Sequence, residues 1–115
     1  MNKHKLFLLN PGFHDGNEGP YFCPHNAAME GLLKYVPELK DQLEIVYVDF
    51  VRPRPPIVET LGEENQDSPV LVLDEGTTPP DNARLSDETG RAFFLGEDEI
   101  FDFLHQHFGI MKPHE

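Results

Sequence analysis

The sequence predicts a mixed α/β domain: a four-stranded mixed sheet with elements in the order β-α-β-α-β-β-α and helices on both faces. Three observations carry this. The apolar residues gather in short runs, Leu6–Leu9, Ile45–Val48 and Val70–Leu73, which have the length of strands buried on both sides rather than of long helices. Segments with helical spacing separate or follow these runs, so that strand, helix and strand succeed one another within about fifty residues as in a right-handed βαβ unit. Proline or glycine stands at most of the seams. Apolar residues make up 38% of the chain, a low share, yet their clustering and the nine Phe argue for a packed core and against disorder. At 115 residues the chain supports one core and not two, so residues 1–115 are expected to form a single domain.

The first strand is Lys5–Asn10, stopped by Pro11-Gly12. Pro11–Phe22 follows, with three Gly and two Pro; it reads as a loop, of a length that is uncommon inside compact domains and often functional. A helix spans Pro24–Tyr35. Pro24 suits its first position, where a missing N–H costs nothing. Ala28, Leu32 and Tyr35 make one stripe, with Met29, Leu33 and Val36 beside it, and Pro37 closes the helix. Leu43–Val51 alternates and is rich in β-branched residues, the pattern of a second strand. Pro55-Pro56 opens a short helix, Ile57–Leu61, that Gly62 can end. Pro69–Leu73 is the third strand, Thr77–Asn82 a loop, Asp87–Gly90 a turn and Arg91–Leu95 the fourth strand. The last helix is Gly96–Phe108, with Asp98 as candidate N-cap, Ile100, Phe101, Leu104 and Phe108 as buried stripe, and Gly109 as stop.

Nine basic against twenty-one acidic residues give a formal net charge of −12. Such a field repels phosphate backbones and anionic lipid, so neither nucleic acid nor a membrane is expected as partner. The lone cysteine, Cys23, excludes an internal disulfide and fits a reducing compartment. The N-terminal apolar stretch is shorter than the roughly 7–15 residues of a secretory signal or the about 20 of a spanning helix, which makes the cytoplasm the expected location.

Three segments carry the chemistry. Phe22-Cys23-Pro24-His25 lies between the first strand and the first helix, Ser68-Pro69 begins the third strand, and Gly96-Glu97-Asp98 opens the last helix. In this order and at about these distances they resemble the active-site segments of the thioredoxin-like superfamily, above all glutaredoxins and the N-terminal domain of glutathione transferases; the chain also resembles an uncharacterised bacterial thioredoxin-like family. The resemblance spans nearly the whole chain and implies a thioredoxin-like fold. It implies a cis bond at Ser68-Pro69, with the Ser68 backbone turned out toward an extended peptide or glutathione. It further implies that Glu97 and Asp98 hold the ammonium of a γ-glutamyl group through charge-assisted hydrogen bonds. Both acids would equally suit a plain acidic first turn.

Independently of any family, a sulfur at a helix start faces unpaired N–H groups and the positive end of the dipole. That position favours thiolate and should lower the Cys23 pKa below about 8.5, with His25 as helper or proton donor. The duller use of Cys23 is as a small apolar filler. Dithiol members of the resembled superfamily have a second Cys where this chain has Asn26, so any redox cycle would be monothiol, with an external thiol such as glutathione as resolving partner. Arg52 and Arg54 flank Pro53 and can clamp an anionic substrate or pair locally with Asp49 or Glu59. An oxyanion on either Arg would suit an arsenate-reductase-like single-cysteine enzyme, whose cysteine motif is missing. Convergence of His14, Cys23 and His25 on a metal is not expected, because the spacing lacks the usual ligand pairs. The functions expected are thiol–disulfide exchange or thiol transfer through Cys23, or a non-catalytic module that docks a protein or small-thiol partner. Pro11–Phe22 would then be a lid, with Phe13, Tyr21 and Phe22 as apolar walls.

Overall fold

A computed structural model describes residues 3–114. Its centre is a five-stranded mixed sheet in the order β4-β1-β5-β7-β6. These strands are β1 (His4–Leu9), β4 (Leu43–Val48), β5 (Val70–Val72), β6 (Arg84–Leu85) and β7 (Ala92–Leu95). A separate hairpin pairs β2 (Phe13–Asp15) with β3 (Glu18–Tyr21). The four helices are α1 (Pro24–Tyr35), α2 (Leu39–Gln42), α3 (Pro55–Leu61) and α4 (Gly96–Phe108). β1 and β4 run parallel, in register from His4↔Leu43 to Leu9↔Val48, while β5 is antiparallel to β1 and to β7, and β6 is antiparallel to β7.

Side chains alternate between the two faces of a strand, and here both faces are apolar. Leu6 and Leu8 of β1, Leu71 of β5 and Phe94 of β7 join Met29 and Leu33 of α1 and Ile100, Phe103 and Leu104 of α4 in one cluster. Phe7 and Leu9, Val70 and Val72, and Phe93 face the other way and pack on Ile57 and Leu61 of α3. This two-sided demand explains why LFLL and VLVL are unbroken apolar runs.

Several expectations need correction. The sheet has five strands rather than four, because Arg84-Leu85 adds an edge too short to leave a periodic signal. Pro11–Phe22 is not a plain loop. Gly16-Asn17 connects Asp15 to its partner Glu18, and Gly16 at φ +65° supplies the positive φ that a tight hairpin needs at its first central residue. The second strand ends at Val48, where Asn10 N–H donates to the Val48 carbonyl and pairing stops. Pro37 does close α1, but the chain at once makes another turn, α2, with Leu39 N–H on the Val36 carbonyl and Lys40 N–H on that of Pro37. The buried stripe of α1 is Asn26, Met29, Leu33 and Val36, whereas Tyr35 is 74% exposed. On α4 Phe103 is buried, while Phe101 and Phe108 are only half-buried. Asp98 is not the N-cap. Leu95 holds that position, and its N–H is met by the Glu99 carboxylate at 3.2 Å.

Among the described residues no helix is long and apolar enough to cross a membrane.

Candidate functional site

Three segments far apart in sequence meet at the N-terminus of α1. Cys23 is the N-cap residue, extended at φ −84° and ψ 119°, with Pro24 next in line and no side chain capping the helix. A proline there accommodates the fixed φ and leaves the first-turn N–H groups facing the sulfur end. The thiol is free and half-buried, and it packs on the α3-side cluster. Beside it lies an open cavity of about 180 Å³ lined by Leu9, Pro11, Phe22, Asn26, Ala27 and Glu30.

Asn26, one turn into the helix, is 4% exposed. Its Oδ1 accepts the Leu9 N–H at 2.9 Å and lies 3.2 Å from the Ser68 hydroxyl, which also donates to the Phe7 carbonyl at 2.9 Å. Asn26 is thus a fastener between α1, β1 and the start of β5. Its Nδ2 is buried with no partner among the described residues. The Ser68-Pro69 bond is cis, as are Gly19-Pro20 and Arg52-Pro53. Pro69 offers its carbonyl to Gly96 N–H at 3.0 Å, whereas the N–H and C=O of Ser68 take no hydrogen bond among the described residues.

The third segment arrives through His25, whose Nδ1 lies 2.6 Å from Glu97 Oε2. Glu97 is therefore engaged inside the chain, and Asp98 next to it is exposed. Of the expected ligand-binding acids, only Asp98 has no side-chain bond among the described residues.

The two arginines part company. Arg52 pairs with Asp67 at 2.6 Å across two exposed side chains, not with Asp49, which accepts from Asn10 Nδ2, nor with Glu59. Arg54 is 5% exposed. Its Nε and Nη2 donate to the Phe50 carbonyl at 3.1 and 2.7 Å and its Nη1 to the Gln66 carbonyl at 2.7 Å, while Gln66 Oε1 accepts the Arg54 N–H at 2.8 Å. The guanidinium sits 5.7 Å over the Phe50 ring. Burial pushes its pKa down, and Arg52 adds to this; Asp67 and the negative form of Cys23 act against it. Arg54 is therefore a desolvated cation within electrostatic reach of the sulfur, with its donors spent on the backbone. The arginines do not make the open oxyanion clamp that an arsenate-reductase-like site would need.

The hairpin does not cover the thiol as a lid with three aromatic walls. Phe13 stacks on Phe50 at 4.3 Å and 9°, Tyr21 donates its hydroxyl to Glu18, and only Phe22 lines the cavity at Cys23. Among the described residues, no three His, Cys, Asp or Glu side chains converge as a metal site. The sequence did not reveal the fastening role of Asn26, nor Gln66 and Phe50, the partners that immobilise Arg54; a polar residue at a core position of an amphipathic helix was the available sign for Asn26.

The chain belongs to the family described as protein of unknown function DUF3088, whose profile matches residues 3–112. No curated protein and no solved structure matches it.

Proposed function

We propose that this protein is a thioredoxin-like monothiol exchange protein in which Cys23 is the nucleophile. One observation carries the reading: Ser68 and Glu97 both bond to the first turn of the helix that Cys23 heads, so that all three chemistry-bearing segments meet at one helix start. The parallel β1-α1-β4 unit followed by the antiparallel strands β5 and β7 supports the thioredoxin-like assignment.

In the reaction, the Cys23 thiolate attacks one sulfur of a disulfide, forms a mixed disulfide and releases the other half as a thiolate. An external thiolate then attacks the mixed disulfide and frees Cys23, since no second cysteine exists to do so. Glutathione is the external thiol that the resemblance implies. The sulfur stands at the helix N-terminus, on the same side of the sheet as the buried Arg54. His25, held through Nδ1 by Glu97, can give a proton to the leaving thiolate from Nε2. The open N–H and C=O of Ser68 would pair with the backbone of the bound partner.

The test compares the alkylation rate of Cys23 by iodoacetamide in folded and in urea-unfolded protein, about two pH units below the ordinary thiol value of about 8.5. Faster alkylation in the folded protein is expected, slowed by His25→Ala. A folded thiol slower than the unfolded one overturns the reading.

A second reading is favoured by the unpaired Ser68 backbone and by the internal use of Arg54 and Glu97: a module that docks an extended segment of a partner and leaves the thiol idle. Cys23→Ser would then leave partner capture intact, whereas exchange chemistry would be lost.

A further inference from the structure

The two edges of the central sheet are finished differently. β6 is a strand of two residues, whereas β4 runs for six and pairs with β1 alone, in unbroken register from His4↔Leu43 to Leu9↔Val48. Natural sheets guard a long edge with Pro, Lys, a bulge or a covering element, because its unpaired N–H and C=O groups invite another strand. Leu43–Val48 (LEIVYV) has neither Pro nor Lys and no bulge, and no described strand pairs with its outer side.

The free groups of this edge can be assigned. The Val48 carbonyl points toward β1 and accepts the Asn10 N–H. Backbone groups of successive strand residues point to opposite sides, so Leu43, Ile45 and Tyr47 turn theirs outward. The Leu43 N–H is spent on the Leu39 carbonyl. What remains is a row made of the N–H groups of Ile45 and Tyr47 and the carbonyls of Leu43, Ile45 and Tyr47. Side chains divide by face. Ile45 packs on the α1-side cluster, and the Tyr47 hydroxyl donates to Glu30 of α1 at 3.0 Å. Val46 packs on the α3-side cluster, and with it stands Glu44, exposed and the one charged side chain of the strand. Asp41 and Asp49, also exposed, flank the strand. Lys5 is the neighbour of Glu44 in register, yet no ion pair joins them among the described residues.

We infer that the β4 edge is a docking strand for an extended basic segment of another protein, one that alternates basic and apolar residues. Charge selects this occupant over a second copy of the chain. A two-fold across the edge must set outward-facing residues opposite one another, centred on Ile45. It would bring Glu44 of the two copies onto a diagonal about 7–8 Å apart and join two chains of net charge −12 each. A basic segment instead sets a cation opposite Glu44 and an apolar side chain opposite Ile45. The site lies across β1 from Ser68-Pro69, which lead into β5, so it stands apart from the Cys23 reading.

The experiment titrates the full chain with a blocked peptide alternating Lys and Val, about nine residues long so as to span the strand, and with its Glu/Val counterpart. Amide hydrogen exchange is followed residue by residue. With free Lys/Val peptide at about ten times its Kd, the Ile45 and Tyr47 amides should exchange about tenfold more slowly, while those of Arg84 and Leu85 at the other edge keep their rates. Tyr47→Pro removes an N–H that the fold does not use, a change that edge strands tolerate; it should abolish binding and leave Cys23 alkylation unchanged. Should that variant fail to fold, Glu44→Lys decides from an exposed position. It should cut the preference for the Lys/Val over the Glu/Val peptide about three- to tenfold, the worth of turning one cross-strand pair from opposite to like charge. Equal affinity for the two peptides, equal slowing at β6, or no slowing at Ile45 and Tyr47 with millimolar peptide would overturn the proposal. Slowing of these two amides by raised protein concentration alone would overturn it in favour of a second copy.

Discussion

Arg54 is where stability and chemistry can be pulled apart. Its guanidinium satisfies two backbone carbonyls, those of Phe50 and Gln66, from a position that is 5% exposed. Arg54→Met fills similar space and removes every side-chain donor. Each carbonyl left buried without a partner costs about 1–3 kcal/mol, so the loss is about 2–6 kcal/mol before the relief of no longer burying a cation. That relief is real, since burial already depresses the guanidinium pKa, and replacing a buried charge by an apolar group can recover a few kcal/mol. A net loss of about 2–3 kcal/mol is expected, a large part of the about 6–17 kcal/mol typical of a chain of this length. With a urea slope of about 1.5 kcal/mol/M, the midpoint should fall by about 1.3–2 M.

Arg54→Lys separates the two roles. An ammonium retains the charge but not the planar fork that reaches both carbonyls, so stability should still fall, by less than in Arg54→Met. The Cys23 alkylation rate, measured where each variant is fully folded, should drop in Arg54→Met and be kept in Arg54→Lys. A change of under about 0.5 kcal/mol in Arg54→Met, the range of ordinary surface substitutions, would refute the claim that the guanidinium supports the loop. Equal alkylation rates in both variants would refute its electrostatic hold on the sulfur.

His4 accepts the Asp74 N–H through Nδ1 at 2.8 Å, and burial, with His107 nearby, lowers its pKa, while Asp74 acts the other way. The unfolded chain therefore binds the proton more readily. The contribution is complete above the unfolded value of about 6.5 and is lost as pH falls from there toward the folded value. Urea midpoints at several pH values should show this slope in wild type and a shallower one in His4→Asn, whose Oδ1 can take the same N–H without titrating. Gly62 ends α3 at φ +89° and ψ 171°, where an added Cβ would run into the Glu88 side chain. Gly62→Ala should cost about 1–3 kcal/mol, and a thermal midpoint equal to wild type would refute the strain argument. Leu71 is 0% exposed at the centre of the sheet, so Leu71→Ala should lose about 2–5 kcal/mol by equilibrium unfolding.

The legible parts of this fold were those with a physical period. LFLL and VLVL had to be strands buried on both faces, because no other element of that length hides consecutive apolar side chains, and the clusters on the two sheet faces answer that pattern residue by residue. The Gly96–Phe108 helix and its Gly109 stop, with Gly109 left-handed at φ 69°, were equally plain. What escaped had little period to show. Arg84-Leu85 is exposed on an edge, and α2 is a single turn held by backbone bonds after a proline. The hairpin did leave a sign in Gly16-Asn17, which the density of Gly and Pro around it obscured.

At the site, sequence order named the segments but could not tell a free side chain from a spent one. Glu97 reads as a ligand-binding acid until His25 occupies it, and Arg54 reads as a clamp until two carbonyls claim it. The groups left over are the Cys23 sulfur, the Ser68 backbone, Asp98 and the Asn26 amide nitrogen. They differ in kind: one nucleophile, one backbone donor–acceptor pair, one exposed anion and one buried donor. Among the described residues both arginines of this region are engaged, Arg52 with Asp67 and Arg54 with two backbone carbonyls. Arg54 touches Cys23 only through its field. Under the exchange reading proposed above, the sulfur and the open Ser68 backbone suit a partner that brings its own electrophilic sulfur on an extended segment.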